Sequence, residues 1–101
     1  SSEVDQEPEY PGGNRALLAD IARGVRYPMV CKQQKIQGKV LVSFIVEKDG
    51  SLSDVTAVKK VHANLNTEAV RVVKSLERWT PGSKDGQPVR VQSAVYVIFS
   101  L

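Results

Sequence analysis

Lys39-Val40-Leu41-Val42-Ser43-Phe44-Ile45-Val46-Glu47, running into Lys48-Asp49-Gly50-Ser51, is the stretch on which the fold turns. Val40, Val42, Phe44 and Val46 alternate with Lys39, Leu41, Ser43, Ile45 and Glu47, so one side of this segment is wholly apolar. A period of two belongs to a β-strand whose successive side chains point to opposite faces. Asp49-Gly50 then marks a hairpin, because both residues tolerate the positive φ that a tight reversal needs. The returning strand is expected through Val55, Ala57 and Val61.

Downstream the period lengthens. Ala69, Val72, Val73, Leu76 and Trp79 recur at intervals of three and four, while Glu68, Arg71, Lys74, Glu77 and Arg78 fall on the other side. This predicts an amphipathic helix lying on the sheet. Asn66 is read as its cap, Leu65 and Val70 as its hydrophobic staple, and Pro81-Gly82 as its stop. Lys84-Asp85-Gly86-Gln87-Pro88 reads as a turn-rich loop. Alternation returns from Val89 to Leu101, with Val89, Val91, Ser93, Val95, Val97, Phe99 and Leu101 on one face.

Upstream, Leu17, Leu18, Ile21 and Val25 predict a first helix, with Asn14 as cap and Gly24 as stop. Pro28 suits the first turn of a second short helix over residues 29–35. Residues 1–13 carry Glu3, Asp5, Glu7, Glu9, two prolines and Gly12-Gly13. They read as an extended leader with little to bury, which leaves 14–101 as the domain.

The 101 residues, 42% of them hydrophobic, suit one domain. Fourteen Lys and Arg against 11 Asp and Glu give a net charge of +3, too thin an excess to mark a nucleic-acid footprint. The single Cys31 forms no internal disulfide and does not report the redox compartment. No apolar run reaches membrane-spanning length, and the N-terminus lacks signal-peptide character. Because the chain begins at Ser1, an upstream anchor is left open.

The fold class expected is α+β, a three-stranded antiparallel sheet with helices on one face. If the long helix crosses back over the hairpin, the last strand falls beside the first, giving the order second, first, last. The two edges then differ. The second strand carries Asp54, Lys59 and Lys60, charges of the kind that block strand pairing, whereas the last has only Arg90. A long unguarded edge aggregates, is covered, or receives another strand.

Tyr27-Pro28, Ile36-Gln37-Gly38-Lys39-Val40, Val46 to Ser51, Leu65 to Gly82 and Gly86-Gln87-Pro88-Val89 resemble, in order and spacing, the TonB C-terminal domain family. Pro8-Glu9-Tyr10-Pro11-Gly12-Gly13 is similar to the branch found in Bacteroides-like bacteria. The resemblance implies a periplasmic domain, anchored in the inner membrane by a helix absent here and linked to proton-driven motor proteins. It would bind the Ton box of outer-membrane transporters by strand addition and couple proton-motive force to nutrient import. By position, the pairing strand lies within Val89 to Leu101, which singles out Arg90, Gln92, Ala94, Tyr96 and Ile98. Arg26, Tyr27 and Pro28 would neighbour the docked receptor. Where better-known members have Gln three residues before that tyrosine, this chain has Gly24.

The other readings fare worse. His62 is the only histidine, and no recognised spacing supplies it with a carboxylate or cysteine partner. No paired His or Cys suggests a metal, and no strand precedes a glycine-rich phosphate loop, so neither catalysis nor a cofactor is expected. A single-strand nucleic-acid module would interleave exposed aromatics with basic residues on the sheet, and only Tyr96 qualifies. Pairing of the last strand with a second copy, or reuse of the domain in another envelope protein, stays open.

Overall fold

The structure, a computed structural model, describes residues 4–101. Its elements run α1 (Gly13–Gly24), α2 (Met29–Gln33), β1 (Gly38–Val46), β2 (Leu52–Lys59), α3 (Ala63–Lys74), β3 (Gly82–Lys84), β4 (Gln87–Val89) and β5 (Val91–Phe99). The main sheet has the order β2-β1-β5, with β1 antiparallel to both neighbours. This is the expected arrangement of second, first and last strands.

Val40, Val42, Phe44 and Val46 of β1 are fully buried. With Val97 and Phe99 of β5 they meet Leu17 and Ile21 of α1 and Leu65, Ala69, Val72 and Val73 of α3 in one core. The helices therefore cover one face of the sheet. Burying a Leu, Val or Phe side chain contributes about 1.5–3 kcal/mol, so this single layer carries most of the stability. Leu18, expected beside Leu17, is instead 56% exposed, because one helical step carries it off the narrow inner stripe.

The β1–β2 turn is fixed from outside as well as within. Gly50 has φ 85°, and a Cβ there would come within 2.0 Å of the Trp79 carbonyl oxygen. Only glycine lets the turn sit this close, and Trp79 N–H donates to Gly50 O at 2.9 Å across the contact.

Several element ends differ from the sequence reading. Asn14 does not cap α1; Gly12, in the left-handed region, occupies that position with no side-chain bond. The second helix stops at Gln33 rather than 35. β2 ends at Lys59, leaving Val61 outside the sheet. His62, not Asn66, caps α3: its Nδ1 accepts from Asn64 N–H at 3.1 Å, while the Asn66 side chain accepts from Val61 N–H at 3.0 Å. That helix ends at Lys74, well before Pro81-Gly82, where Ser75 Oγ donates to Val72 O at 2.6 Å. Trp79 still reaches the core, from a non-helical segment pinned to the hairpin turn.

The stretch read as a loop after Gly82 is a small hairpin, β3 pairing with β4 around Asp85 (φ 52°) and Gly86 (φ 76°). Two consecutive positive φ values are those of the tight turn favoured between antiparallel strands. The last strand is correspondingly shorter than 89–101, since Val89 belongs to β4 and the chain bends at Arg90.

The expectation that the leader has little to bury also fails at Tyr10. Gln6 bridges to Ser83 and Glu9 to Thr80, and Tyr10 is 2% exposed. Its ring meets Trp79 edge-on at 5.4 Å, and its hydroxyl donates to Asp20 Oδ2 at 2.6 Å while accepting from Glu77 N–H at 3.2 Å. Residues 1–3 of the leader lie outside the described residues.

Candidate functional site

The two edges of the sheet are built differently. β1 and β2 pair with two register shifts, and Asp54 sits at φ 49° within β2. Such a bulge twists the strand and spoils it as a template for a newcomer. β1 and β5, by contrast, match residue for residue from Gly38↔Phe99 to Val46↔Val91 without a break. The outer side of β5 is therefore a regular edge.

The direction of its backbone groups follows from the hairpin. Glu47 N–H donates to Ser51 O at 2.8 Å, and Gly50 N–H donates to Glu47 O at 2.9 Å, so Glu47 turns its main chain toward β2. In an antiparallel strand each residue points its N–H and C=O to one side, and successive residues alternate. Ile45, Ser43 and Leu41 then also face β2, which leaves Val46, Phe44, Val42 and Val40 to pair with Val91, Ser93, Val95 and Val97. Leu101 N–H, in step with that odd-numbered set, donates to Gln37 Oε1 on the β1 side at 2.7 Å. Gln92, Ala94, Tyr96 and Ile98 direct their donors and acceptors to the open side, and no other described residue bonds to them there.

Their side chains lie on the sheet face that the helices leave uncovered. Ile98 is 64% exposed. Tyr96 leans over β1, with Lys39 Nζ 4.6 Å from its ring centroid and Lys59 Nζ donating to its hydroxyl at 3.4 Å. Gln92 Nε2 donates to Ser43 Oγ at 3.3 Å. Beside Ala94 and Ser43, both small, the surface dips into an open groove of about 860 Å³, walled by Val58 and by Val4, Lys84 and Val89 near the small hairpin. Its size is that of a small-ligand site, but it is open along the strand edge.

Arg90 stands apart from these four. It occupies the bend before β5, and its guanidinium donates to Glu47 at 2.7 and 3.1 Å. The Arg90 bonds, with that from Ser53, hold the Glu47 carboxyl below the ordinary glutamate range. The folded carboxylate is thus favoured: its stabilising contribution is present above the ordinary range and fades as pH falls through the lowered folded value. Arg90→Ala should move the Glu47 titration midpoint upward in carboxyl-carbon NMR, and an unmoved midpoint would deny the pairing in solution.

Arg26, Tyr27 and Pro28 sit between the helices and the far end of β5. The Tyr27 ring meets Phe99 edge-on at 5.6 Å, and its hydroxyl donates to Ile36 O. Glu68 of α3 accepts from Arg26 N–H at 2.6 Å and from Arg71 at 2.7 and 2.8 Å. Arg71 in turn donates to Gly24 O at 2.9 Å, which clamps the segment to α3. These contacts give Tyr27 a packing role and bring none of the three residues into a bond with Gln92, Ala94, Tyr96 or Ile98.

One contact was invisible in the spacing of the sequence. Cys31 Sγ lies 3.4 Å from His62 Nδ1, a cysteine partner that no recognised motif supplied. Cys31 is nevertheless 0% exposed, and the same ring nitrogen caps α3. A thiol sealed in the core does not meet a substrate, so the pair ties α2 to the start of α3.

A family model described as Gram-negative bacterial TonB protein C-terminal matches residues 23–101. A protein named TonB from Helicobacter pylori (strain ATCC 700392 / 26695) is 30% identical over 89 residues, covering 83% of this chain and 31% of that protein. Its namesake in strain J99 / ATCC 700824 is 34% identical over 76 residues, covering 70% of this chain and 27% of the relative. The chain thus spans about three tenths of the length of these relatives. The solution structure of a Helicobacter pylori TonB C-terminal domain superposes with a TM-score of 0.67 at 28% identity, covering 85% of this chain and 90% of that one. A Pseudomonas aeruginosa TonB C-terminal domain has a TM-score of 0.59 at 23% identity, covering 76% and 78%, and shares the fold.

Proposed function

Because this chain belongs to the family of Gram-negative bacterial TonB protein C-terminal domains, we propose that it is the receiving end of an energy transducer, taking an extended Ton-box segment of an outer-membrane transporter onto the edge of β5. The observation that supports this most is the regular edge at Gln92, Ala94, Tyr96 and Ile98, opposite a bulged and charged edge on β2. Main-chain pairing reads few side chains, so one domain serves many receptors.

The energetics fit a reversible grip. Each backbone hydrogen bond nets about 0.5–1.5 kcal/mol, and ordering a flexible peptide takes back about 2–5 kcal/mol. With about five such bonds the balance is at most about 5 kcal/mol, so main-chain pairing alone gives weak, roughly millimolar binding and any tighter hold comes from side chains. A hold of that strength lets go under load or on competition.

In this reading the domain works in the periplasm without catalysis. Its link to proton-driven motor proteins runs through a membrane helix in a part of the protein beyond this chain. Among the described residues no helix is long and apolar enough to cross a membrane.

The test is an NMR titration with a synthetic Ton-box peptide. Amide resonances of residues 91–99 should shift most, those of Asp54 to Thr56 should stay, and the midpoint should fall between the micromolar and millimolar ranges. Shifts confined to β2, or to the helices, would remove the proposal.

A further inference from the structure

The groove beside Ala94 adjoins the edge at which main-chain pairing is proposed. What such a groove could do for a peptide rests on strand addition at the edge of β5. A visitor pairing with the outward groups of Gln92 and Ala94 places the residues opposite them on the same uncovered sheet face, because directly opposed residues share a face. There the visitor's side chain meets the dip left by Ala94 and Ser43. Five of the residues that line the groove are apolar (Val4, Val58, Val89, Val91 and Ala94), and among the described residues no carboxylate lines it. Of the two cations that line it, Arg90 is already engaged by Glu47. The groove is also continuous with the edge, since Gln92 and Ala94 belong to both.

We infer that the domain selects extended peptides carrying a bulky apolar side chain at the position opposite Ala94, seated in the groove between Ala94, Ser43, Val58 and Val89. Lys84 and Val89 of the small hairpin close one side of the dip. A charged side chain would lose its hydration against the apolar walls, and glycine or alanine would leave them uncovered.

The experiment is a display selection of short random peptides against the wild-type domain, Ala94→Leu and Val58→Lys, followed by anisotropy measurements on the enriched peptides. Circular dichroism and the β1–β5 amide contacts confirm that each variant is folded. Wild type should enrich a bulky apolar residue at one fixed position, and replacing it by alanine should weaken binding roughly tenfold. Ala94→Leu fills the dip and should reverse that order, favouring alanine or glycine at the same position. Val58→Lys lies on β2, away from the pairing edge, and should flatten the preference while the peptide still shifts the β5 amides. If peptides dock on β5 with the same profile in all three proteins, the filter is wrong and the grip stands. If enriched peptides leave the β5 amides unmoved, or none is enriched, both fall. If those amides shift on dilution without peptide, the groove and edge belong to a second copy, and the inference is overturned.

Discussion

Tyr10→Ala is expected to lower the unfolding free energy by about 3–5 kcal/mol, the range for removing a buried aromatic ring. Tyr10 is 2% exposed, stacks edge-on against Trp79, and joins Asp20 of α1 to the backbone of Glu77 after α3. Its loss opens a void beside Trp79 and strips the Glu77 N–H of its acceptor. Against a typical total of about 5–15 kcal/mol, the change consumes much of the margin. In urea the midpoint should fall by a large fraction, and the thermal midpoint should drop by on the order of 15 °C. Tyr10→Phe keeps the ring and removes the hydroxyl, so it should cost less, about 1–3 kcal/mol. Wild-type stability in Tyr10→Ala would mean that the segment before α1 is not part of the folded unit.

Tyr10 also shows where the sequence stops being informative. It stands among Glu7, Glu9, two prolines and two glycines, a composition that reads as unfolded, and its burial depends on Trp79, sixty-nine positions away. β1 and β5 were legible because burial on one face imposes a strict period of two, and a one-residue error would expose every valine. The same economy failed at helix ends. Asn14 and Asn66 are good caps by type, yet the helices start earlier, where Gly12 and His62 satisfy the local geometry. Trp79 continued the spacing of α3 and is buried as that spacing requires, but Gly50 holds it from outside the helix. The small hairpin hid because its strands are three residues each and one contains Pro88.

At the candidate site, alternation told which side chains of β5 share a face. It did not tell which residues turn their backbone outward, since that depends on which neighbour lies on which side. The bond from Glu47 to Ser51 supplies the missing parity. Arg90 was grouped with the edge by its place in the alternation, and the bend before Val91, with Glu47 waiting across it, takes it out.

Ala94→Pro is expected to reduce Ton-box peptide binding by at least about tenfold while leaving the domain folded. Proline removes the Ala94 N–H and puts ring carbons where the visitor's backbone must come. On an edge strand this is tolerated when the lost N–H faced solvent, and Ser93, the preceding residue, is already extended as proline demands. Val95→Pro is the matched control. Its N–H points to β1 by the same alternation, so the substitution breaks the central ladder and should destabilise the whole sheet, seen as an early urea transition. The pair reads the two sides of one strand separately: one variant folded and deaf to peptide, the other poorly folded. If Ala94→Pro binds normally, the edge of β5 does not receive the peptide. If instead Ala94→Pro unfolds and Val95→Pro does not, the backbone parity drawn from Glu47 is inverted, and Val91, Ser93, Val95 and Val97 carry the open groups.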